Sequence, residues 1–585
     1  MRVGRGSPIK SLIVAVSLAA AALQTLRAQD VAVQIDDFIS QYHQLRQFNG
    51  AVLVGKLDSV VYEAGFGLAN MDWGIPNTPD TKFRVGSVTK QFTATVILKL
   101  VEEGKLRLDG KITDYLPDYP RETGDRITIH HLLTHSSGIP SYTGFPDFQT
   151  QYMRNPFTPD SFVTVFSGME LEFEPGTTFR YNNSGYFLLG VIIEHVTGLP
   201  FHEVLRQMVL DPLGLEDTGY DHNQEIIQRR ASGYAKTLTG YENAEYLDMS
   251  LPYAAGSLYS TPRDLFKWDQ LLRAGEVFAE PHSAESMFTP HLQNYGYGWV
   301  IRDLPIGNDG KKVKLVEHGG GINGFITGFW RLVDDGYTVI VMDNTEGSKV
   351  TAVQQGIVNI LYGEPAVRAK HSVAETLLKI IEERGIEAAV QRHSELKAAG
   401  SEDYDFGQAE LNALGYHYLD EGDIATATTL LELNVEAYPD SFNTYDSLAE
   451  ALLRAADTAG AAANYRKSVE LNPSNENGKR MLAQLGVELD AGLGDAVTVS
   501  PEVLLRYAGD YELRSDLTIK ITFEDGVLLG QATGQGKVEL VATSETHFFV
   551  EVVEAQITFD VADDGTVNGL TLYHGGASLY AAKVR

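Results

Sequence analysis

The chain lacks cysteine altogether, although it has 585 residues. Disulfides, thiolate metal sites, thiol catalysis and a lipid-modified N-terminal cysteine are therefore excluded. Positive charge is also scarce, because 47 lysine and arginine residues stand against 78 aspartate and glutamate residues, for a formal net charge of -31. A surface this acidic repels phosphate backbones and anionic lipid. We therefore expect no nucleic-acid partner and no peripheral membrane binding.

Long hydrophobic runs are missing except at the N-terminus. There the basic "MRVGRGSPIK" precedes the apolar "SLIVAVSLAAAAL", and small residues recur up to Ala28. This order is typical of a secretory signal, and the apolar run is too short to span a bilayer comfortably. We predict a signal over residues 1–28 and an exported chain, periplasmic or secreted, without stable membrane insertion. An uncleaved anchor is the alternative, because Leu26 stands where a small residue is preferred.

A chain of this length predicts several domains rather than one. Near its start, "AVLVGKLDSVVYEAGFGLAN" alternates apolar and polar residues around a Lys-Leu-Asp turn, which favours a β-hairpin. Further along, Asp335-Gly336 is a two-residue hairpin turn between strong strand formers. Strands at both ends with helices between them predict one α+β domain over residues 31–365, whose sheet joins the two ends.

Two further regions follow this domain. Residues 371–490 are helical and alanine-rich, and segments near 412–445 and 446–479 repeat at an offset of 34 residues, the tetratricopeptide period. Such repeats either bind a protein partner in a groove or act as a spacer. Residues 498–585 carry strand and turn signals that predict a small antiparallel β-barrel, of the lipocalin-like kind, or a sandwich. Their turn dipeptides are Asp525-Gly526, Asp564-Gly565 and Asn568-Gly569.

The spacing Ser-x-x-Lys occurs at three places, which are Ser7–Lys10, Ser87–Lys90 and Ser394–Lys397. Ser7 lies in the predicted signal, and Ser394 lies in a polar helical segment outside the α+β domain. Only Ser87 stands at the start of a strongly apolar helical pattern, "FTATVILKLVEEG". Position in the chain therefore favours Ser87–Lys90 as the pair with a chemical role.

Ser87 and Lys90 have the chemistry of a nucleophile and its base. One helical turn brings the lysine onto the same face as the serine. The helix N-terminus favours negative charge on the serine oxygen. Burial lowers the proton affinity of a lysine, so that its neutral amine can accept the serine proton. A capping serine with a solvated lysine has the same spacing, so the spacing alone leaves both interpretations open.

Two more stretches carry reactive groups. "FEPGTTFRYNNSGYFLLGVIIEHVTG" contains Tyr181 and Asn183 before a helix predicted to start near Ser184, and "EHGGGINGF" sets His318 before three glycines on a predicted strand. Together with "HHLLTHSSGIPSY", "AAGSLYSTPRDLFKW" and "YGYGW", these motifs resemble the penicillin-recognising serine hydrolases over about residues 40–360. That family includes class C β-lactamases, D-alanyl-D-alanine carboxypeptidases and related carboxylesterases. The resemblance implies a β-lactamase/transpeptidase-like fold for the α+β domain, followed by tetratricopeptide-like and barrel-like regions.

The resemblance also implies a role for each motif residue. Ser87 would be the acylated nucleophile, and Lys90 would be its proton partner. Tyr181 would pass the proton to the leaving group and later activate water. Asn183 would hold the substrate and orient Lys90.

The third motif would complete the site. The N–H groups of Ser87 and Gly321 would form the oxyanion hole, while Gly320 and His318 would contact a substrate lying along the strand edge. The best-known members have a lysine where this chain has His318, and that lysine attracts a substrate carboxylate. A histidine with an ordinary pKa near 6.5 would do so only when protonated.

This departure favours an esterase-like hydrolase over a strong β-lactamase. We expect cleavage of small-molecule or short-peptide esters or amides through an acyl-enzyme on Ser87, without a cofactor or metal. A D-alanyl-D-alanine carboxypeptidase or D-amino-acid peptidase is the alternative. A non-turnover sensor of cell-wall peptide, or a partner-binding protein, is the alternative of another class, and a homo-oligomer stays open. Candidates for the pocket lining are Tyr142, Tyr253 and Trp299.

Two other motifs give weaker support for a function. His131 and His135 are four residues apart, a spacing that could hold a metal on a helix, but no third ligand accompanies them and structural histidines are favoured. The "HGGG" stretch also resembles the oxyanion loop of α/β-hydrolases, yet the Gly-x-Ser-x-Gly elbow of that fold is missing from the sequence.

Overall fold

The chain divides into two structural units, Met1–Ala369 and Lys370–Arg585. The structure, a computed structural model, describes residues 30–307, 311–473, 475–487, 499–514, 517–524, 526–533, 537–550, 555–562, 565–574 and 577–584. The predicted signal over residues 1–28 lies outside these residues, as do Asp525 and Asp564 of two predicted turns.

A six-stranded antiparallel sheet organises the first unit. Its strands lie in the order Val300–Ile306, Lys311–Ile322, Phe325–Leu332, Tyr337–Asp343, Gly50–Lys56 and Ser59–Gly65. Gly50 pairs with Asp343 and Lys56 pairs with Tyr337. The early hairpin is therefore hydrogen-bonded to the last strand, which confirms that the sheet joins the two ends of this segment.

The strand Gly50–Lys56, fifth of the six, is buried on both faces. Ala51 and Leu53 face one hydrophobic core, and Val52 and Val54 face another. This follows from its apolar run, since successive side chains of a strand point to opposite sides. The second core is closed by a helix over residues 30–44 and by the helix Val350–Tyr362.

The first core lies under a layer of helices and small strands. The helices are Thr89–Glu102, Ile112–Tyr115, Arg121–Gly124, Ile129–Leu133, Pro159–Val163, Asn183–Thr197, Phe201–Leu205, Asp211–Leu213, Tyr253–Gly256, Pro262–Ala274 and Pro281–Met287. Short helical turns are Gly86–Val88, Tyr142–Gly144, Phe148–Tyr152, Arg206–Leu210 and Leu292–Asn294. Small strands are Leu68–Asn70, Ile75–Pro76, Phe83–Arg84, Gly219–Tyr220, Tyr234–Lys236, Tyr241–Asn243, Leu258–Ser260 and Thr345–Glu346.

Within the described ranges, no single helix combines the length and apolar composition needed to cross a membrane. The helical segments Asn183–Thr197 and Phe201–Leu213 meet those criteria only as a pair bent by 80°.

The second unit begins with helices and two short strands. The helices are Val373–Arg384, Ile386–Ala398, Gln408–Glu421, Ile424–Ala437, Phe442–Arg454, Thr458–Leu471 and Glu476–Gln484, and the strands are His371–Ser372 and Tyr404–Asp405. Ile424–Ala437 and Thr458–Leu471 are related by the predicted offset, and each is capped by an aspartate, Asp423 or Asp457. The helical region is therefore confirmed, while its assignment as tetratricopeptide repeats stays a prediction.

A helix, Pro501–Tyr507, and a closed antiparallel barrel complete the unit. The barrel strands are Gly509–Arg514, Leu517–Glu524, Val527–Ala532, Val538–Ala542, His547–Val550, Ala555–Val561, Val567–His574 and Ala577–Lys583. The first and last strands pair, with Tyr511 opposite Lys583. Of the two predicted alternatives, barrel or sandwich, the barrel is therefore confirmed.

Candidate active site

Ser87 lies in a tight turn, Gly86–Val88, that leads into the helix Thr89–Glu102. This turn passes directly against the glycine-rich end of a sheet strand. A β-carbon on Gly86, whose φ is +50°, would lie 2.8 Å from the Gly321 carbonyl oxygen, and one on Gly320 would lie 1.9 Å from the Val85 carbonyl oxygen. Both positions therefore require glycine, because a side chain would push the two segments apart.

Lys90 is fully buried one turn below Ser87. Its Nζ lies 3.0 Å from Ser87 Oγ, 2.8 Å from Asn183 Oδ1 and 2.9 Å from the Ala255 carbonyl oxygen. The amide and carbonyl oxygens can only accept, so they match the two N–H groups of a neutral amine. The remaining lone pair of that amine then faces the Ser87 hydroxyl.

Burial also decides the charge of this lysine. The pKa of Lys90 is lowered well below its ordinary value by desolvation. Besides the three neutral oxygens, its ammonium form would face only the rings of Tyr181 and Tyr186 among the described cation–π partners, at 4.8 and 5.4 Å from the ring centroids. No carboxylate among the described residues forms an ion pair with it. The geometry therefore suits a neutral amine that accepts a proton from Ser87.

Tyr181 lies beside the same pair, with its ring centroid 4.8 Å from Lys90 Nζ. Its side chain is near enough to Ser87 for the serine to lower the pKa of the phenol, against the larger effect of burial. Although 37% of the residue remains exposed, desolvation raises the pKa of the Tyr181 phenol well above its ordinary value. The phenol is therefore protonated at neutral pH and suited to give a proton rather than to remove one from Ser87.

Asn183 is the first residue of the helix Asn183–Thr197, one residue earlier than the sequence predicts. Asn182 caps this helix by accepting from the Gly185 N–H at 2.8 Å. The cap holds Asn183 so that its Oδ1 accepts from Lys90 while its Nδ2 donates to Thr143 Oγ1 at 3.2 Å. Asn183 therefore contacts Lys90 and also lines the cleft beside Ser87.

The structure places His318 differently from the sequence expectation. Its Nδ1 faces the Gly319 carbonyl oxygen at 2.5 Å, and its Nε2 lies 2.8 Å from the Tyr295 hydroxyl. Only 5% of His318 is exposed, and burial, with a smaller contribution from Lys90 in its ammonium form, lowers the pKa of His318 to about 3. The pKa near 6.5 of an unperturbed histidine therefore does not apply to His318, and the imidazole is neutral and turned inward.

Strand alternation explains the arrangement of the glycines. His318 and Gly320 are buried, whereas Gly319 and Gly321 are exposed on the other face of the strand. Gly321 lines the cleft, and a β-carbon there would meet no atom within 4 Å. Gly320 instead packs against the backbone of Val85. The prediction that Gly320 and His318 contact the substrate is not supported by this placement, while Gly321 lies at the cleft as expected.

The cleft at Ser87 is lined by apolar and polar side chains in similar numbers. Its apolar side chains are Phe148, Leu247, Leu251, Pro252, Ala255 and Ile322. Its polar side chains are Ser87, Tyr142, Thr143, Asn183 and Asn323. Among these described lining residues, none is lysine, arginine, histidine, aspartate or glutamate. The cleft therefore offers hydrogen bonds but no charged partner to a substrate.

Of the three aromatic candidates for the lining, the cleft includes Tyr142 alone. Trp299 is fully buried and packs against Phe288 and Phe329. Tyr253 is 4% exposed and starts the short helix whose Ala255 carbonyl accepts from Lys90. That carbonyl was missed by the sequence analysis because a main-chain acceptor leaves no residue-type signal.

His131 and His135 do not share a helix face. The helix ends at Leu133, and His135 follows it with a φ of +55°. The His135 Nδ1 accepts from the Asn182 N–H at 3.0 Å. Within the described residues, no group of three histidine or acidic side chains could hold a metal ion.

Comparisons with known proteins match both units. Residues 35–362 match the family model described as Beta-lactamase, and residues 494–581 match a domain of unknown function. Penicillin-binding protein 4* of Bacillus subtilis is 31% identical over 54% of this chain and 73% of its own length. Teichoic acid D-alanine hydrolase of Staphylococcus aureus is 27% identical over 54% of this chain and 75% of its own length. A solved D-stereospecific amidohydrolase from Streptomyces sp. is 27% identical, covers 56% of this chain and 98% of its own, and has a TM-score of 0.47.

Proposed function

Because the chain belongs to the beta-lactamase family of serine hydrolases, we propose that it cleaves small uncharged esters, as carboxylesterases do, through an acyl-enzyme on Ser87. One observation carries this proposal. The Ser87 hydroxyl lies 3.0 Å from the buried Lys90 Nζ, with Tyr181 beside the pair, and among the described residues that line the cleft the only ionisable side chain is Tyr142.

Acylation starts with the Ser87 hydroxyl. Its proton moves to the Lys90 amine while Oγ forms a bond to the ester carbonyl carbon. The N–H groups of Ser87 and Gly321 stabilise the oxyanion. When the C–O bond to the alcohol breaks, the leaving oxygen takes the Tyr181 proton, and the Lys90 ammonium restores that proton. The result is one acyl-enzyme and one free alcohol.

Deacylation repeats these steps with water as the nucleophile. The neutral Lys90 amine takes up a water proton, relayed through the Tyr181 hydroxyl, while the water oxygen attacks the acyl carbon. Ser87 leaves with a proton and the carboxylic acid is released. The same residues thus serve both halves of the reaction.

The lack of charged side chains among the described lining residues favours an uncharged substrate. Penicillins and D-alanyl-D-alanine peptides carry a carboxylate beside the scissile bond, and a neutral, inward His318 gives it no partner. A D-aminoacyl group carries an ammonium, and none of the described lining residues supplies a carboxylate to bind it. A short apolar acyl group needs no charged partner and can pack against the apolar side chains of the cleft, such as Leu247 and Leu251.

A second candidate comes from the relatives. Release of D-amino acids from esters or amides fits the names of the teichoic acid D-alanine hydrolase and the D-stereospecific amidohydrolase. The side-chain amides of Asn183 and Asn323 could accept hydrogen bonds from an amine in this case. A D-alanyl-D-alanine carboxypeptidase and a non-turnover sensor remain weaker proposals.

The deciding experiment measures kcat/KM of the purified chain for p-nitrophenyl butyrate, nitrocefin, D-alanine p-nitroanilide and a D-alanyl-D-alanine peptide. We expect the uncharged ester to exceed the others by more than about tenfold, which is about 1.4 kcal/mol of transition-state preference. Ser87→Ala is the control for every substrate. Faster turnover of nitrocefin or of the D-alanine substrate than of any ester would contradict the esterase proposal.

We also propose where the chain acts and what it binds. We infer export from the N-terminal sequence pattern, with the substrate met in the periplasm or outside the cell. The repeated helices Ile424–Ala437 and Thr458–Leu471 are the proposed surface for a protein partner. Nucleic acid is not a proposed partner because of the net charge of -31. Self-association is a further possibility that light scattering of the purified chain tests.

A further inference from the structure

His135 binds the main chain on both sides of Tyr181. Its carbonyl oxygen accepts a hydrogen bond from the Arg180 N–H at 2.9 Å, and its Nδ1 accepts one from the Asn182 N–H at 3.0 Å. These two donors flank Tyr181 in the sequence. One residue therefore fixes the peptide groups before and after the phenol.

The imidazole of His135 also supports the phenol ring. The two ring centroids are 4.2 Å apart with an interplanar angle of 38°, and Tyr295 packs edge-on against the imidazole at 4.6 Å. Because Nδ1 accepts a backbone proton, the neutral ring carries its proton on Nε2. That Nε2 is buried and has no hydrogen-bond partner among the described protein atoms. The ring is therefore a support and has no second partner through which to relay a proton.

Three demands meet at this position. The φ of +55° is tolerated best by glycine, asparagine, aspartate and histidine. The bond from Asn182 needs an acceptor at the δ position of the side chain, which glycine lacks. The contact with Tyr181 needs a flat ring, which asparagine and aspartate lack. Histidine is the residue type that satisfies all three.

We propose that His135 is a positioning residue that holds the Tyr181 hydroxyl at Ser87 Oγ for proton transfer. The inference rests on the proposed function, because it takes Tyr181 as the group that protonates the leaving alcohol. Esters with a poor leaving group need that proton, whereas p-nitrophenolate departs without it. Loss of His135 should therefore lower kcat/KM more for an alkyl ester than for a p-nitrophenyl ester of the same acid.

The test compares ethyl butyrate with p-nitrophenyl butyrate by kcat/KM, which reports acylation alone. The full chain, His135→Asn, Tyr181→Phe and the double variant are measured, with rates expressed per Ser87 site titrated by a phosphonate. His135→Asn keeps the δ acceptor and the tolerance of positive φ but removes the ring. We expect a loss of about tenfold or more on the ethyl ester and less than about threefold on the p-nitrophenyl ester. In the Tyr181→Phe background, His135→Asn should cause no further loss of kcat/KM on either ester.

His131→Asn, in the same segment, is the control and should leave the ratio of the two esters unchanged. Equal losses on both esters, or a further loss in the Tyr181→Phe background, would overturn the inference while leaving the role of Tyr181 intact. If Tyr181→Phe alone cleaves both esters at the native rate, the role proposed for Tyr181 fails, and this inference fails with it. Should His135→Asn not fold, His135→Gly, which also accepts a positive φ, takes its place with the same expectations.

Discussion

The same Ser-x-x-Lys spacing occurs in two helical regions of the described chain, and the two surroundings differ. Lys90 is fully buried beneath Ser87, 3.0 Å from its oxygen. Ser394 and Lys397 are both exposed on one helix. The Ser394 hydroxyl donates instead to the Val390 carbonyl of its own helix at 3.0 Å. Identical spacing has produced a pair in one case and two separate polar residues in the other.

The comparison shows that burial and fixed hydrogen-bond acceptors, not the spacing, make the serine–lysine pair reactive. Helical spacing only brings two side chains onto one face. Burial lowers the pKa of Lys90, and the two fixed acceptors, Asn183 Oδ1 and the Ala255 carbonyl, orient its amine. Ser394 and Lys397 have neither burial nor such partners. Ser394 and Lys397 are therefore matched controls for Ser87 and Lys90.

The largest expected effect is loss of the nucleophile. Ser87→Ala should lower kcat by about four orders of magnitude, since removal of a catalytic nucleophile leaves only binding and oxyanion stabilisation. Ser394→Ala should hydrolyse p-nitrophenyl butyrate at the native rate. A fluorophosphonate should label one peptide, the one that contains Ser87. Label on the Ser394 peptide, or an active Ser87→Ala enzyme, would remove the distinction between the two regions.

The proton-transfer pair comes next. Lys90→Met and Tyr181→Phe should each lower kcat by about three orders of magnitude, and the double variant should lose little more, because cooperating residues are not additive. Lys397→Met should have native kinetics. Steady-state rates for all four variants check this, and fully multiplicative losses would mean that Lys90 and Tyr181 act independently.

Elements set by nearby residues could be predicted from the sequence. Asp335-Gly336 lies in the expected hairpin turn, and Gly336 has a positive φ of +72°. The predicted two-residue length is wrong, because the paired residues Leu332 and Tyr337 are joined by a turn over residues 333–336. Asn568-Gly569 has an equally strong turn signal, but it lies within the strand Val567–His574, where Gly569 pairs with Asp560 beside a register shift. Pairing with both neighbouring strands of the closed barrel overrode the local preference there.

Parts of the site that depend on tertiary packing could not be predicted. The order of motifs pointed to Ser87, Lys90 and Tyr181, which the structure brings together. The sequence did not determine which face of the strand Lys311–Ile322 would line the cleft. Because successive side chains point to opposite faces, His318 is buried while Gly319 and Gly321 are exposed. A one-residue change in that register would exchange the buried and exposed sets. The Ala255 carbonyl is set by a distant segment and likewise has no local signal.

The pH dependence of acylation should reflect Lys90. Because burial lowers its pKa, kcat/KM should be level at high pH and fall about tenfold per unit below that lowered pKa. Lys397→Met should leave the profile unchanged. The ratio of ester to nitrocefin hydrolysis should stay constant between about pH 5 and pH 8, since the pKa of His318 is about 3. A ratio that shifts near pH 6.5 would contradict the inward, neutral His318.

The smallest expected effect concerns stability. The pKa of Lys90 is lowered in the folded chain, whereas an unfolded lysine has a pKa of about 10.4. Between these two values the unfolded chain binds one more proton than the native chain, so native stability rises with pH, by at most about 1.4 kcal/mol per unit. Lys90→Met removes this dependence, although it leaves the Asn183 and Ala255 oxygens without their donor. Relative to wild type, the variant should therefore lose about 1 kcal/mol of unfolding free energy per unit as pH rises from about 7 to about 9.

Urea denaturation followed by tryptophan fluorescence measures this difference in the first unit alone, because the four tryptophans of the chain all precede Ala369. Lys397 lies in the other unit, so the matched control is Lys105→Met, which removes an exposed lysine of the first unit. Its unfolding free energy should follow the wild-type curve at every pH. If wild type and Lys90→Met keep a constant difference across the range, Lys90 has the same proton affinity folded and unfolded, and it would then resemble Lys397 in its chemistry as well as in its spacing from a serine.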